Sequence, residues 1–195
     1  HVWCGIPYAA PPVGPWRWRS PRPPARWDGV RPATAFSASS WQSSESCQEL
    51  GGGDPGQFSE DCLYLNVWSP AVRADPLPVM VWLHGGGFTL GAGGLPPYNG
   101  RALAKRVTVV GTSNYRLGHL VFFAHPALEG EEERVVHNFA LLDQIQALEW
   151  VRDNIAAFGG DPENITVFGE SAGARSVLSL MASPLAGGLF HKAIV

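Results

Sequence analysis

The chain has 195 residues, of which 45% are hydrophobic and 16% charged, which excludes a disordered chain and a charge-rich coiled coil and suits one domain with a buried core. The net charge of −3, without a basic cluster, argues against a nucleic-acid or anionic-membrane surface, so no nucleic-acid partner is expected. No apolar run reaches the roughly 18 residues of a membrane span, and the first residues lack the basic and apolar regions of a signal peptide.

The first part of the chain is rich in proline and glycine. Residues 5–46 contain many prolines and little periodicity, which predicts an ordered peripheral segment with little regular secondary structure. Residues 51–56 match the dinucleotide-binding pattern G-x-G-x-x-G, but no strand precedes them and Pro55 interrupts them. We therefore expect a turn-rich loop here and no nucleotide cofactor.

From residue 62 onward the pattern alternates between strands and helices. Apolar or alternating runs predict strands at residues 63–68, 78–83, 106–111, 165–169 and 192–195. Asn138 is a candidate cap for a helix that ends at Gly159 and Gly160, and a second helix is predicted after Ser171. The charged run at 129–134 predicts a solvated loop. This order of elements implies a parallel sheet with crossover helices.

The sequence Gly169-Glu170-Ser171-Ala172-Gly173 matches G-x-S-x-G between a predicted strand and a predicted helix. In this context a sharp turn exposes the central hydroxyl above the sheet, and the following helix directs its amino-terminal N–H groups toward it. The pattern predicts Ser171 as a nucleophile. The alternative is a serine that only caps a helix.

Three consecutive glycines, residues 85–87, stand between His84 and Phe88 directly after the strand predicted at 78–83. Such a loop could be a flexible linker. At the carboxyl end of a buried strand, however, glycines allow backbone N–H groups to point into the crevice where open α/β sheets bind ligands. We interpret the loop as part of an oxyanion hole.

These motifs together resemble the type B carboxylesterases, the α/β-hydrolase group that includes cholinesterases and bacterial esterases. The resemblance rests on residues 5–9, 60–67, 84–88, 114–118, 143–144, 147–148, 150–151, 158–162 and 168–173. It implies an α/β-hydrolase fold with a mostly parallel central sheet and helices on both faces. It also implies Ser171 as nucleophile, an oxyanion hole formed by the N–H groups of Gly86, Gly87 and Ala172, and Glu170 as a supporting residue. The chain departs from the family pattern at His137, Val121 and Arg175.

The triad of this fold follows the order serine, acid, histidine. After Ser171 the chain contains no acidic residue, and its one histidine there, His191, is expected to be structural. We therefore expect residues 1–195 to be the amino-terminal part of a single catalytic domain, truncated at both ends. The acid and histidine would lie outside the chain, and the fragment alone would be inactive.

Three cysteines allow at most one disulfide, and composition does not say which. The resemblance implies a Cys47–Cys62 disulfide with Cys4 free, which would indicate a secreted or extracytoplasmic protein; without the bond a cytoplasmic one is expected. It also implies two ion pairs, Glu60 with Arg17 and Arg116 with Asp161. The sequon that begins at Asn164 leads into a strand and is expected to be unused.

The leading hypothesis is hydrolysis of small-molecule carboxylic esters through an acyl-enzyme. The alternative is a non-catalytic adhesion or scaffold protein of the same fold. A metal hydrolase has little support because no H-E-x-x-H motif or paired cysteine spacing occurs, so no metal or other cofactor is expected. Residues 48–61 contain no tryptophan that could bind a choline group, so we do not expect a cholinesterase.

Overall fold

One mixed sheet runs through the part of the chain that the computed structural model describes, residues 1–70, 75–128 and 137–195. Its strands are β1 (Val2–Pro7), β2 (Tyr64–Trp68), β3 (Leu77–Leu83), β4 (Val109–Ser113), β5 (Gly160–Gly169) and β6 (Lys192–Ile194). The helices are α1 (Ser44–Leu50), α2 (Arg101–Ala104), α3 (Phe139–Asn154) and α4 (Ala172–Ala182). The charged run at 129–134 lies outside the described residues.

The strands lie in the order β1-β2-β4-β3-β5-β6. β4, β3, β5 and β6 are parallel neighbours, whereas β2 is antiparallel to both β1 and β4. The prediction of a mostly parallel sheet is confirmed. Because β3, β4 and β5 run in the same direction, the loops that follow them meet at one edge of the sheet. In the described ranges, no helix is both long and apolar enough to cross a membrane.

Helices cover both faces of the sheet. On one face, β3 presents Val79, Val81 and Leu83 to the main core, to which α3 and α4 contribute Ile145, Leu148, Val177 and Leu180. On the other face, Ala104 of α2 packs with Trp68 and Val110. The alternating burial along β3 therefore shows that one face of the strand is fully buried in the core and the other face is only partly covered.

The structure also contains elements that the sequence did not predict, including β1, α1 and α2. β1 lies at the sheet edge and forms because it pairs with β2; its ladder is irregular between Trp3 and Ile6. Gly5, within that irregularity, has a φ of 70° and donates its N–H to Asn66 Oδ1 at 3.0 Å. Helix α1 begins after Ser43, whose hydroxyl accepts from the Ser46 N–H.

The predicted ends of α3 are confirmed only in part. Asn138 stands at the cap position, but its side chain makes no capping hydrogen bond. After α3 the chain continues as a 3₁₀ turn, Ile155–Phe158, and ends at Gly159 in the left-handed conformation, with a φ of 82°. Gly160 already belongs to β5, so this strand starts five residues earlier than the apolar pattern indicates.

One of the two predicted ion pairs is confirmed and the other is wrong. Arg17 Nε and Glu60 Oε2 are 2.6 Å apart. Arg116 pairs with Asp143 of α3 instead of Asp161, with Nη2 and Oδ1 at 2.6 Å and Nε and Oδ2 at 2.8 Å. Arg116 follows the carboxyl end of β4, whereas Asp161 lies at the amino end of the parallel strand β5. The two residues are therefore at opposite ends of the parallel strands.

The predicted Cys47–Cys62 disulfide is absent from the structure, in which Cys4, Cys47 and Cys62 are all free thiols. Helix α1 directs Cys47 into a small cluster with Ala92 and Leu95. Cys62 belongs instead to the main core, where burial raises the pKa of its thiol to about 12. The two thiols therefore serve as small buried groups in different clusters.

The buried Arg116–Asp143 pair generates a prediction about stability. Asp143→Asn leaves the guanidinium charge without its counter-charge, and both side chains are at most 1% exposed. We expect the free energy of unfolding of the complete protein to fall by about 3–5 kcal/mol. The matched control is Asp153→Asn, which breaks an Arg152 pair whose side chains are 43% and 59% exposed, and should cost less than about 1 kcal/mol. Denaturant titration measures both; equal losses in the two variants would contradict the prediction.

Candidate active site

The turn between β5 and α4 presents Ser171 at the carboxyl edge of the sheet. β5 ends at Gly169, α4 begins at Ala172, and Ser171 stands at the helix cap position with φ 55° and ψ −117°. A positive φ is strained for a residue with a side chain. Ser171 is exposed, and its hydroxyl caps no N–H of the helix. The observed geometry is the strand–turn–helix context that G-x-S-x-G requires.

The two glycines of that motif are required by the close approach of β3. A Cβ on Gly173 would overlap the Leu83 carbonyl oxygen at the end of β3. A Cβ on Gly169 would lie 2.6 Å from the Gly173 carbonyl carbon and 2.8 Å from the Leu83 oxygen. Any larger residue at either position would separate the turn from β3. These contacts hold Ser171 beside the loop that follows β3.

The glycine loop, residues 85–87, lies directly against the turn. A Cβ on Gly85 would lie 3.2 Å from Ser171 Cβ and 2.6 Å from Glu170 Oε2. Gly86 and Gly87 have φ values of 104° and 61°. Among the described residues, no protein acceptor is found for the N–H groups of Gly86, Gly87 or Ala172. Three backbone donors near Ser171 are therefore available to a ligand.

Hydrogen bonds fix the shape of the glycine loop from within and from outside. The Gly86 carbonyl oxygen accepts from the N–H groups of Thr89 and Leu90, at 2.9 and 3.1 Å. At the far end of the loop, the Gln42 side chain makes two hydrogen bonds with the Gly91 backbone. The Gly91 N–H donates to Oε1 at 2.7 Å, and Nε2 donates to the Gly91 oxygen at 2.9 Å. A residue of the proline-rich segment thus anchors the loop.

His84 lies close to the site but is unsuited to serve as its base. Its side chain is fully buried, and burial lowers its pKa to about 4. The ring stacks on Tyr115 with a centroid distance of 4.2 Å, and the Tyr115 hydroxyl donates to the His84 carbonyl oxygen at 2.5 Å. Nδ1 lies 2.8 Å from the Gly85 oxygen. These contacts direct the imidazole into the protein.

His191 has the structural position that the sequence indicates. Its N–H donates to the Ile165 oxygen at 2.8 Å, and its Nδ1 accepts from the Ile165 N–H at 3.2 Å. His191, the residue directly before β6, is thereby linked to Ile165 of β5, which lies six residues before Ser171. Within the described ranges, no group of histidine, cysteine and carboxylate side chains could hold a metal ion.

Glu170 is exposed beside Ser171, and its carboxylate touches the glycine loop at Gly85. Burial raises the pKa of Tyr98, and the charge of Glu170 raises it further, so the carboxylate also lies near that phenol. Gln42 and Tyr98 are the residues that sequence reasoning missed at this site. Gln42 has no local signal, since its partner Gly91 lies 49 positions away; Tyr98 follows two prolines that predict only a turn.

Comparisons with known proteins agree with this geometry. The model of the carboxylesterase family matches residues 1–195. The para-nitrobenzyl esterase of Bacillus subtilis is 52% identical over all of the chain and 39% of its own length, and the fumonisin B1 esterase of Sphingopyxis macrogoltabida is 51% identical over 36% of its length. The solved structure of a thermophilic PNB esterase superposes with a TM-score of 0.91 at 50% identity, covering 99% of this chain and 39% of that one.

The chain thus spans less than two fifths of the length of these relatives. Within that span, the match includes both the glycine loop and the turn that carries Ser171, the two features that lie against each other in the structure. The fold predicted from the sequence is the fold of these neighbours. The chain belongs to the carboxylesterase family.

Proposed function

We propose that the complete protein containing this chain hydrolyses carboxylic esters through an acyl-enzyme intermediate on Ser171. The observation that carries the proposal is an exposed serine at φ 55° beside three backbone N–H groups, those of Gly86, Gly87 and Ala172, that have no acceptor in the described residues. Backbone donors left free beside a nucleophile are what acyl transfer requires to stabilise its oxyanion.

The reaction would begin with attack of Ser171 Oγ on the ester carbonyl carbon, while its proton passes to a histidine supplied by residues outside this chain. The carbonyl oxygen would take up negative charge and accept hydrogen bonds from the three N–H groups. Each such donor contributes about 3 kcal/mol to stabilising the tetrahedral intermediate. The amino terminus of α4, which begins at Ala172, adds a favourable dipole.

Collapse of the intermediate would break the bond to the alkoxide, which leaves as an alcohol after taking the proton from the histidine. Water then attacks the acyl-enzyme in the same way, and the acid is released with Ser171 restored. Glu170 would not transfer a proton in this sequence. Its carboxylate contacts Gly85, so we assign it a supporting role at the base of the glycine loop.

The alternative is a non-catalytic adhesion or scaffold protein that keeps the fold. Such a protein would need neither a strained, exposed serine nor unpaired amides next to it. Backbone strain of this kind costs about 1–3 kcal/mol and persists where function maintains it. The strained φ of Ser171 and the unpaired N–H groups next to it therefore favour the enzyme.

We further propose that the substrates are neutral esters and not choline esters. Residues 48–61 contain Phe58 as their one aromatic residue and no tryptophan. Phe58 packs with Trp41 at a centroid distance of 5.9 Å. Recognition of a quaternary ammonium group needs an aromatic face, which contributes about 2 kcal/mol or more when the cation is desolvated.

The nucleophile assignment predicts that Ser171→Ala in the complete protein abolishes both hydrolysis of p-nitrophenyl acetate and labelling by a fluorophosphonate probe. We expect kcat to fall by at least about 10⁴-fold, because no covalent intermediate can form. The control is Ser179→Ala, an exposed serine of α4 that donates to the Arg175 oxygen and should remain fully active. If Ser171→Ala hydrolyses the ester as well as the unmodified protein, the assignment is wrong.

The substrate proposal predicts that kcat/KM for butyl acetate exceeds that for acetylcholine by at least about tenfold, because no aromatic contact of about 2 kcal/mol offsets the desolvation of the quaternary ammonium group. Both esters carry the same acyl group, so the comparison isolates the alcohol. Steady-state hydrolysis followed by pH-stat measures both. A preference of tenfold or more for the choline ester would contradict the proposal.

A further inference from the structure

His84 makes a specific contact with the loop that the mechanism uses. Its Nδ1 lies 2.8 Å from the carbonyl oxygen of Gly85, the next residue. Because a carbonyl oxygen only accepts, Nδ1 must carry the proton and donate it, which fixes the tautomer of the neutral ring. Nε2 is then unprotonated, and it is buried without a hydrogen-bond partner in the described part of the chain. The one N–H of the neutral ring is therefore donated to the Gly85 oxygen.

The peptide that joins Gly85 to Gly86 connects this bond to the reacting centre. In a planar trans peptide, the carbonyl and the following N–H point in opposite directions, so fixing the Gly85 oxygen also fixes the direction of the Gly86 N–H. Without side chains, two successive glycines do not restrain that plane themselves. Gly85 lies beside Ser171, where a Cβ on it would be 3.2 Å from Ser171 Cβ.

We propose that His84 is a positioning residue, whose Nδ1–H holds the Gly85–Gly86 peptide plane so that the Gly86 N–H remains directed at the oxyanion. This role rests on the proposed function, since it acts through the oxyanion hole. A mere packing role for the ring needs no particular tautomer and no donor at Nδ1, which is what separates the two explanations.

The surroundings of His84 hold the ring in the orientation that this role needs. Tyr115 stacks on one face at 4.2 Å with an interplanar angle of 10°, and its hydroxyl fixes the His84 carbonyl. Gly91 gives the ring room, because a Cβ there would overlap Nδ1. Gln42 fixes the Gly91 backbone through two hydrogen bonds. Burial lowers the pKa of His84 to about 4, so the ring stays neutral at neutral pH.

The test places a donor at different distances along the side chain in the complete protein. His84→Asn keeps an N–H near the position of Nδ1, His84→Gln moves the amide outward toward the position of Nε2, and His84→Leu removes the donor. We expect kcat to fall about 10- to 100-fold in the Gln and Leu variants, less than the full loss of an oxyanion donor, with KM within about threefold. His84→Asn should recover kcat to within about fivefold of the unmodified protein, because the donor is restored.

Two readouts separate positioning from folding. Fluorophosphonate titration counts the competent active sites, so kcat is expressed per site. The affinity for a trifluoromethyl ketone, whose adduct places an oxyanion in the hole, should fall in proportion to kcat in the Gln and Leu variants. Equal kcat values in the Asn and Gln variants would overturn the proposal. So would a loss of titratable sites without a change in kcat per site.

A measurement on the unmodified protein needs no variant to fold. The ¹⁵N chemical shifts of the His84 ring should show a protonated Nδ1 and an unprotonated Nε2 at pH 7, and the opposite tautomer would contradict the proposal. Failure of the proposed function is distinct from failure of this role. If Ser171→Ala is active, the proposed function fails; if Ser171 is required but His84→Gln keeps its kcat, only the positioning role fails.

Discussion

The end of strand β3 can approach the turn around Ser171 only because Gly169 and Gly173 lack side chains. A Cβ on Gly173 would overlap the Leu83 oxygen, and one on Gly169 would lie 2.8 Å from the same atom. This approach brings the glycine loop after β3 against the helix amino terminus after β5. Two segments far apart in sequence thereby lie side by side, as the proposed oxyanion hole requires, and backbone groups fixed by a sheet need little reorganisation during reaction.

The segment after β4 holds the surrounding loops in place. Asn114 accepts from the Gly93 N–H through Oδ1 at 2.8 Å, Tyr115 donates to the His84 oxygen, and Arg116 pairs with Asp143 of α3. Three successive residues thus connect the glycine loop region with a core helix. These residues belong to 114–118, one of the motifs that resemble the carboxylesterase family, and their contacts hold the loops in place. A buried polar network of this kind makes one arrangement of the loops more favourable than others.

Strong local patterns predicted the parts of the fold and site that depend on neighbouring residues. The strands β2–β5, the helices α3 and α4 and the turn at Ser171 follow from periodicity and turn chemistry, which act within a few residues. Partners that depend on tertiary placement were less predictable. Arg116 pairs with Asp143 and not Asp161 because strand direction decides which end of the sheet a residue occupies. Cys47 and Cys62 remain free because they pack in separate clusters.

The structure of the complete protein after reaction with a fluorophosphonate tests the central claim most directly. The tetrahedral phosphorus resembles the reaction intermediate, so its oxygen should occupy the oxyanion position. We predict a covalent bond from phosphorus to Ser171 Oγ, with the phosphoryl oxygen about 2.7–3.1 Å from the amide nitrogens of Gly86, Gly87 and Ala172. An adduct on another residue, or a phosphoryl oxygen directed away from these three amides, would contradict the account.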